Sequence, residues 1–183
     1  MASIIGITGS LSNPSRTRAL VEEITARASH QLHAAAETID IAEIAPVLGS
    51  TISYGHYPAE LAEAYRKIQN AELIVIGSPV YKASYTGLLK HFFDLLDPKA
   101  LAGKVAILAA TGGSDQHAMI VDYQLRTLAS FFNMYTVPTA IYAKDSEFTD
   151  YRLNSDSIRQ RVENAVDQAT YLLQEQLPRT LVA

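Results

Sequence analysis

The stretch that decides the fold is residues 4–17, IIGITGSLSNPSRT. Its first apolar residues run together instead of alternating, which is typical of a buried strand in a parallel sheet. A polar turn follows, and apolar side chains then recur every four positions to about residue 35, which predicts an amphipathic helix. Strand, turn and helix in this order predict exposed backbone N–H groups where the helix begins.

The turn has the composition of a phosphate-binding loop. The start of a helix has a partial positive charge and unsatisfied N–H donors, and both favour an anion. Arg16 can pair with two phosphate oxygens, and the hydroxyls of Ser10, Ser12, Ser15 and Thr17 can each donate a hydrogen bond. We predict that these five residues bind a phosphate, although the same cluster also suits a surface turn that caps a helix.

Composition limits the class of protein. The 183 residues, 48% of them apolar, predict one ordered domain over residues 1–183. A net charge of −4 and the lack of a basic stripe argue against nucleic acid as a partner. The chain has no cysteine, which excludes disulfide and thiolate chemistry. It shows neither a signal peptide nor an apolar run of membrane-spanning length, so we expect a cytoplasmic protein with no membrane partner.

The rest of the chain alternates between strand and helix patterns. Further strands are predicted over residues 37–41, 73–77, 105–110 and 135–143, the last at a sheet edge because it contains Pro138. Helices are predicted from residue 58, over 86–96 and 115–133, and from a cap at Ser155, with 42–57 as an irregular surface segment. This alternation predicts an α/β fold, a flavodoxin-like doubly wound sheet of five parallel strands in the order 2-1-3-4-5, with helices on both faces.

In this architecture ligands bind beyond the carboxyl ends of the strands, where the strand order reverses. Residues Pro79, Val80, Tyr81 and Lys82 follow the third strand and should therefore line the same crevice as the first turn. The proline rigidifies this loop, its backbone can hydrogen-bond a flat heterocycle, and Tyr81 adds an aromatic ring. An ordinary strand-to-helix turn with an exposed lysine is the alternative.

A third loop follows the fourth strand and contains Thr111, Gly112, Gly113 and Ser114. Paired glycines permit positive φ and a close approach of backbone to ligand, and Ser114 can cap the next helix. His117 lies in the first turn of that helix, where it is either a ligand contact or an ordinary surface histidine.

Four motifs in order along the chain resemble those of the flavodoxin-like NAD(P)H-dependent FMN reductases. They are GS…SR at residues 9–16, SPVYK at 78–82, GxLK at 87–90 and TGGSxxH at 111–117. The resemblance extends from Ile4 to about Tyr151 and is strongest to the reductase component of two-component alkanesulfonate monooxygenase systems. Many relatives have Arg where this chain has Ser12 and Glu where it has Val80, and these departures favour the sulfonate branch over the azoreductases and quinone reductases.

The resemblance implies an activity and a set of cofactors. FMN would bind with its phosphate at the first loop, and Pro79 to Lys82 and Thr111 to Ser114 would border its ring. His117, which belongs to the last motif, is a further candidate for contact with the flavin. A hydride would pass from NADH or NADPH to FMN, and reduced flavin would be available to a partner monooxygenase. Because the cofactors contain the reacting atoms, we assign no catalytic side chain and no metal.

Two alternatives stay open from the sequence. One is a reductase of quinones, azo compounds or chromate with permanently bound FMN. The other is a non-enzymatic electron carrier like flavodoxin, against which the modest acidity of the chain and Arg16 argue. The residues do not distinguish NADH from NADPH.

The helix predicted over residues 115–133 has two apolar faces. One contains Val121, Leu125, Leu128 and Phe132, and the other contains Ile120, Tyr123, Thr127, Phe131 and Met134. A helix with two apolar faces needs a second surface to cover it, so we predict a homo-oligomer. The resemblance implies a tetramer packed through the helices that contain Phe92 and Tyr123, and it places at Tyr123 an inserted residue that forms a π-bulge.

Overall fold

A computed structural model describes residues 3–175 of the chain. The elements in chain order are β1 (Ser3–Thr8), α1 (Arg16–Leu32), β2 (Ala35–Asp40), α2 (Ile41–Ser50), α3 (Ala59–Asn70), β3 (Leu73–Pro79), α4 (Gly87–Asp94), β4 (Val105–Gly112), α5 (Arg126–Phe131), β5 (Tyr135–Thr136), β6 (Ile141–Lys144), β7 (Phe148–Thr149), β8 (Arg152–Leu153) and α6 (Asp156–Gln174). A 3₁₀ turn at Asp115–His117 and a π-helical turn at Val121–Leu125 precede α5. Ser155 caps α6 as predicted, accepting a hydrogen bond from Ile158 N.

The sheet confirms the predicted flavodoxin-like fold. Its order is β2-β1-β3-β4-β5, β6 also pairs with β4, and every pairing is parallel. Helices α1 and α6 cover one face, and α2 to α5 cover the other. The register places Thr8 beside Gly77 and Gly77 beside Ala109, so the carboxyl ends of β1, β3 and β4 are adjacent. None of the helices within residues 3–175 has the length and apolar character needed to cross a bilayer.

Helix α2 corrects the prediction of an irregular segment over residues 42–57. The carboxylate of Asp40 accepts a hydrogen bond from Ala42 N at 2.9 Å and so caps the helix directly at the end of β2. Pro46 lies inside α2 and removes one backbone hydrogen bond. Ile41 and Leu48 are fully buried, and this tertiary packing offsets the unfavourable proline.

The edge strand predicted over residues 135–143 is divided into β5 and β6, with Pro138 in the gap. Both segments pair only with β4, which confirms the edge position. Side chains satisfy the backbone between them: Arg126 donates to the carbonyl of Val137 at 2.9 Å, and Gln168 Oε1 accepts from Thr139 N at 2.9 Å. The prediction of one continuous strand was wrong because distant side chains replace the ladder hydrogen bonds here.

The helix predicted over residues 115–133 is also not continuous. It consists of the 3₁₀ turn, the π-helical turn and α5, and the π-helical turn confirms the insertion expected at Tyr123. On the second apolar face Ile120 and Met134 are buried, whereas Tyr123 and Phe131 are 72% and 64% exposed.

Most of the apolar side chains of α4 are covered within the chain itself. Phe92 and Phe93 are buried within the chain, and Tyr65 donates a hydrogen bond to the carbonyl of Phe92 at 2.8 Å. The ring of His91 contacts the carbonyls of Leu48 and Thr51 at the end of α2. The segment predicted to be irregular therefore covers α4, and Phe92 is not available to another subunit.

Candidate active site

The three predicted loops lie side by side at the carboxyl ends of β1, β3 and β4. Gly9 N donates to the carbonyl of Gly77 at 2.8 Å, and Thr86 Oγ1 donates to the carbonyl of Gly9 at 2.7 Å. The buried hydroxyls of Thr17 and Thr111 are 2.6 Å apart and join the first turn of α1 to the end of β4. These contacts hold the first loop against the carboxyl ends of β3 and β4.

The first loop presents hydroxyls and free backbone donors at the start of α1. Ser15 caps the helix by accepting from Arg18 N at 3.2 Å, and the first turn contains no acidic residue. Ser10 is buried and Ser12 is exposed, with their hydroxyl oxygens 3.2 Å apart. Because the first N–H groups of a helix have no acceptor within it, this loop has the donors that an anion requires.

Arg16 has an unusual environment for a half-exposed arginine. Its Nε is buried and has no hydrogen-bond partner among the described residues. One terminal nitrogen lies 3.7 Å from Asp145 Oδ1, and the guanidinium carbon lies 5.2 Å from the centre of the Tyr151 ring. A buried donor without a partner is costly, so this position favours an acceptor supplied from outside the chain.

Sequence reasoning missed three residues at this end of the sheet. Asp145 directly follows β6, and Tyr151 lies in the left-handed turn between β7 and β8. Thr8, the last residue of β1, has a buried hydroxyl without a partner in the described chain. Thr8 and Asp145 could have been found from their positions at strand ends, whereas no sequence pattern indicates Tyr151.

The loop after β3 begins later than predicted, because β3 continues through Pro79, which pairs with Thr111. Val80, the next residue, is half-buried. After it, the backbones of Tyr81 and Ser84 exchange two hydrogen bonds, of 2.8 and 3.1 Å, across a two-residue turn. That turn is formed by Lys82 and Ala83, with φ of 51° and 64°. Tyr81 and Lys82 are exposed. We call residues 81–84 the β3 turn.

The glycines after the fourth strand serve a different purpose from the one predicted. Gly112 ends β4, and neither it nor Gly113 has positive φ, so the expected left-handed conformation was wrong. A Cβ on Gly112 would lie 2.5 Å from the hydroxyl of Tyr142, which donates to the carbonyl of Ser114 at 2.6 Å. Burial raises the pKa of Tyr142, so this hydroxyl stays protonated at neutral pH. Position 112 therefore requires glycine because any Cβ would collide with the Tyr142 hydroxyl.

The remaining predicted residues lie at the rim of the crevice. Ser114 caps the 3₁₀ turn by accepting from Gln116 N at 3.2 Å, so its role as a cap is confirmed. His117 is the half-buried last residue of that turn, and its contact with a ligand stays a prediction. The crevice therefore combines a cationic, hydroxyl-rich end at Arg16 with backbone and aromatic groups at the β3 turn. Such a pair of ends suits a phosphorylated planar ring.

Comparison with known proteins agrees with this geometry. The family model described as NADPH-dependent FMN reductase matches residues 2–149. The chain belongs to the NADPH-dependent FMN reductase family. An FMN reductase (NADPH) of Pseudomonas aeruginosa is 39% identical over 169 residues, which are 92% of this chain and 91% of that protein. The NADH-dependent FMN reductase SfnE of Pseudomonas putida is 39% identical over 170 residues, covering 93% and 91% of the two chains.

A solved structure of an oxidoreductase from Corynebacterium diphtheriae matches this FMN reductase with a TM-score of 0.84 and 34% identity, covering 96% of this chain and 98% of that one. The family assignment made from the four motifs is thus confirmed. The protein is an oxidoreductase that uses FMN and a nicotinamide dinucleotide. The named relatives include both an NADPH-dependent and an NADH-dependent enzyme.

Proposed function

We propose that this FMN reductase binds the FMN phosphate at residues 9–17 and the flavin ring between the β3 turn and residues 111–114. A nicotinamide dinucleotide then supplies the hydride that reduces the flavin. The observation that carries the proposal is the buried Nε of Arg16 at the start of α1, which has no hydrogen-bond partner within residues 3–175. A phosphate there would accept from Arg16 and from the first N–H groups of the helix, and Ser10, Ser12, Ser15 and Thr17 would add hydroxyl donors.

The second and third loops would bind the ring. Val80, Tyr81 and Lys82 would border it from β3, with Pro79 fixing where the loop leaves the strand. Thr111, Gly112, Gly113 and Ser114 would border it from β4, and His117 is a candidate contact at the rim. Gly112 also makes room for the Tyr142 hydroxyl, which donates to the carbonyl of Ser114 and so helps to hold the third loop in place.

Bound flavin supplies the hydride-accepting chemistry, so the chain needs to bind and orient the reactants and not to transfer a proton. The cation of Arg16 and the helix start balance the phosphate charge. The hydrogen bonds among Gly9, Gly77 and Thr86 fix the first loop relative to β3, and therefore fix the two ends of the crevice relative to each other. This fixed separation aligns the ring for the nicotinamide.

We further propose that the reduced flavin serves a partner monooxygenase in the cytoplasm and that the 183 residues form one domain. The resemblance to the sulfonate branch and the similarity to SfnE, itself named as an NADH-dependent FMN reductase, support an enzyme that releases its flavin. Release predicts that dialysis removes FMN from the purified protein. Flavin that stays bound through dialysis, with turnover only when a quinone or azo compound is added, would favour the alternative reductase.

We also propose a homo-oligomer, tetrameric by resemblance, that packs through α4, which contains Phe92, and through the π-helical turn, which contains Tyr123. A groove of about 910 Å³ lies between α4 and α5, and exposed Tyr123 and Phe131 border it. Apolar side chains of this size favour burial against another surface. Light scattering should give a mass above one chain, and Phe131→Asp should lower it. A monomeric wild-type protein at micromolar concentration would contradict this assembly.

The test of the reductase activity is steady-state oxidation of NADH and of NADPH, each with and without added FMN. We expect oxidation that depends on FMN and a preference for one nucleotide. Oxidation that does not respond to flavin would reject the proposed function.

A further inference from the structure

Gln124 connects the π-helical turn to the β3 turn through two hydrogen bonds. Ser84 Oγ donates to Gln124 Oε1 at 2.6 Å, and Gln124 Nε2 donates to the carbonyl of Ala83 at 3.2 Å. A carbonyl oxygen can only accept, so the amide nitrogen must face Ala83 and the amide oxygen must face Ser84. Only a primary amide can form both bonds at once, because the bond to Ala83 needs an N–H donor and the bond from Ser84 needs an acceptor oxygen.

The β3 turn needs such support because its conformation is unfavourable. Lys82 and Ala83 both have positive φ, and neither is a glycine, asparagine or aspartate. Side chains with a Cβ rarely adopt two consecutive left-handed conformations, and a strained conformation persists only where surrounding contacts hold it. The backbone pair between Tyr81 and Ser84 closes the turn itself, and the two hydrogen bonds with Gln124 tie it to the π-helical turn.

The π-helical turn explains why Gln124 reaches the β3 turn. Arg126 N donates to the carbonyl of Val121, five residues earlier, which identifies the wider turn. An extra residue in a helix turn changes the direction of the side chains that follow it, and π-helical turns are frequent at functional sites. Gln124 lies within this wider turn, and its half-buried side chain reaches Ala83 and Ser84 of the β3 turn.

We propose that Gln124 is a positioning residue for the flavin ring: it holds the β3 turn in its left-handed conformation, so that the backbone from Val80 to Lys82 is already in place when flavin enters. This inference rests on the proposed function, because it assigns the β3 turn to the ring. The ring is common to FMN and riboflavin, so loss of Gln124 should weaken both flavins equally.

The first measurement is made without flavin. Lys82 is exposed in the β3 turn and is a trypsin site, so the rate of cleavage after Lys82, followed by mass spectrometry, reports how firmly the turn is held. Gln124→Ala should raise that rate at least fivefold. Gln124→Glu fills the same volume but cannot donate to Ala83, and it should raise the rate similarly. Gln160→Ala, at an exposed site on α6, is the matched control and should leave it unchanged.

The second measurement is the affinity for FMN and for riboflavin by fluorescence titration. Gln124→Ala should raise both Kd values about tenfold, while the thermal unfolding midpoint stays near that of Gln160→Ala. Ala83→Gly tests the mechanism, because glycine adopts positive φ without penalty. In the Ala83→Gly background, Gln124→Ala should raise the Kd values less than threefold, which is a rescue that a merely structural residue would not show.

The outcomes separate the inference from the proposed function. Wild-type protein that binds neither flavin would reject the proposed function and the inference together, and this is seen without any variant. Wild-type binding with unchanged Kd values in Gln124→Ala would reject the inference alone. Faster cleavage after Lys82 without weaker flavin binding would also reject it, since the turn would then be held for a reason other than the ring.

Discussion

Replacement of Arg16 by alanine tests the position of the phosphate most directly. The variant removes the one guanidinium whose Nε is buried without a partner in the described chain, and leaves the helix start and the hydroxyls of the loop in place. Arg16 is half-buried, and its contacts with Asp145 at 3.7 Å and with the Tyr151 ring at 5.2 Å are loose, so the fold should tolerate the change. Riboflavin has the same ring but no phosphate, and therefore provides the internal control.

The magnitude follows from two contributions. A hydrogen bond to a charged group contributes about 1.5–3 kcal/mol. To bind phosphate, Arg16 must give up its contact with Asp145, and an ion pair as exposed as this one contributes at most about 1 kcal/mol. We therefore expect a loss in the lower half of the range, about 1.5–2 kcal/mol, which corresponds to a roughly 10- to 30-fold higher Kd for FMN.

The assay is titration of apoprotein with FMN and with riboflavin at near-physiological salt, followed by flavin fluorescence. Arg16→Ala should raise the Kd of FMN and leave that of riboflavin unchanged. Arg16→Lys keeps the charge but loses the paired geometry, so its FMN affinity should be intermediate. An equal loss for the two flavins would refute the assignment of Arg16 to the phosphate, and with it the orientation of FMN in the crevice.

Four further predictions concern the site and its support. Asp145→Asn removes the carboxylate that competes for Arg16 and should lower the Kd of FMN by up to about fivefold without affecting riboflavin; tighter binding of both flavins would contradict this. Gly77→Ala places a Cβ about 2.3 Å from a valine methyl group and should destabilise the fold by about 1–3 kcal/mol in urea unfolding. Gly49→Ala in α2 has no atom within 4 Å and should instead stabilise it by about 0.5–1 kcal/mol. Thr17→Val leaves the buried hydroxyl of Thr111 unpaired and should lower the free energy of unfolding by about 1–3 kcal/mol. Adding Thr111→Val should recover part of that loss, and equal losses in the single and double variants would argue against the pairing.

The parts of the fold that were predicted correctly are those that local patterns determine. The apolar run before Gly9 and the cap at Ser15 are sufficient to predict β1, the first loop and α1, and the alternation of elements then determines the sheet order. The missed elements depend on distant contacts. Helix α2 follows β2 without a loop and contains Pro46, and its stability comes from burial of Ile41 and Leu48, which no local pattern reveals.

The same distinction applies to the candidate site. The loop residues could be proposed from sequence because strand ends in a doubly wound sheet are adjacent. The contacts that refine the site could not, because they join residues far apart in the chain. Asp145 and Tyr151 reach Arg16 from beyond β6, and Gln124 reaches the β3 turn from the π-helical turn. The requirement for glycine at position 112 also comes from a distant residue, because the Tyr142 hydroxyl occupies the space that a Cβ would need.

The divided edge strand has a consequence for solubility. A sheet edge with a continuous row of free N–H and carbonyl groups can recruit a strand from another molecule and start aggregation. Between residues 135 and 144 that row is interrupted: Pro138 has no N–H to offer, and Arg126 and Gln168 already occupy the neighbouring backbone groups. The edge of the sheet beyond β4 is thereby protected against unwanted strand addition, while the loops at the carboxyl ends of the strands stay free to bind a ligand.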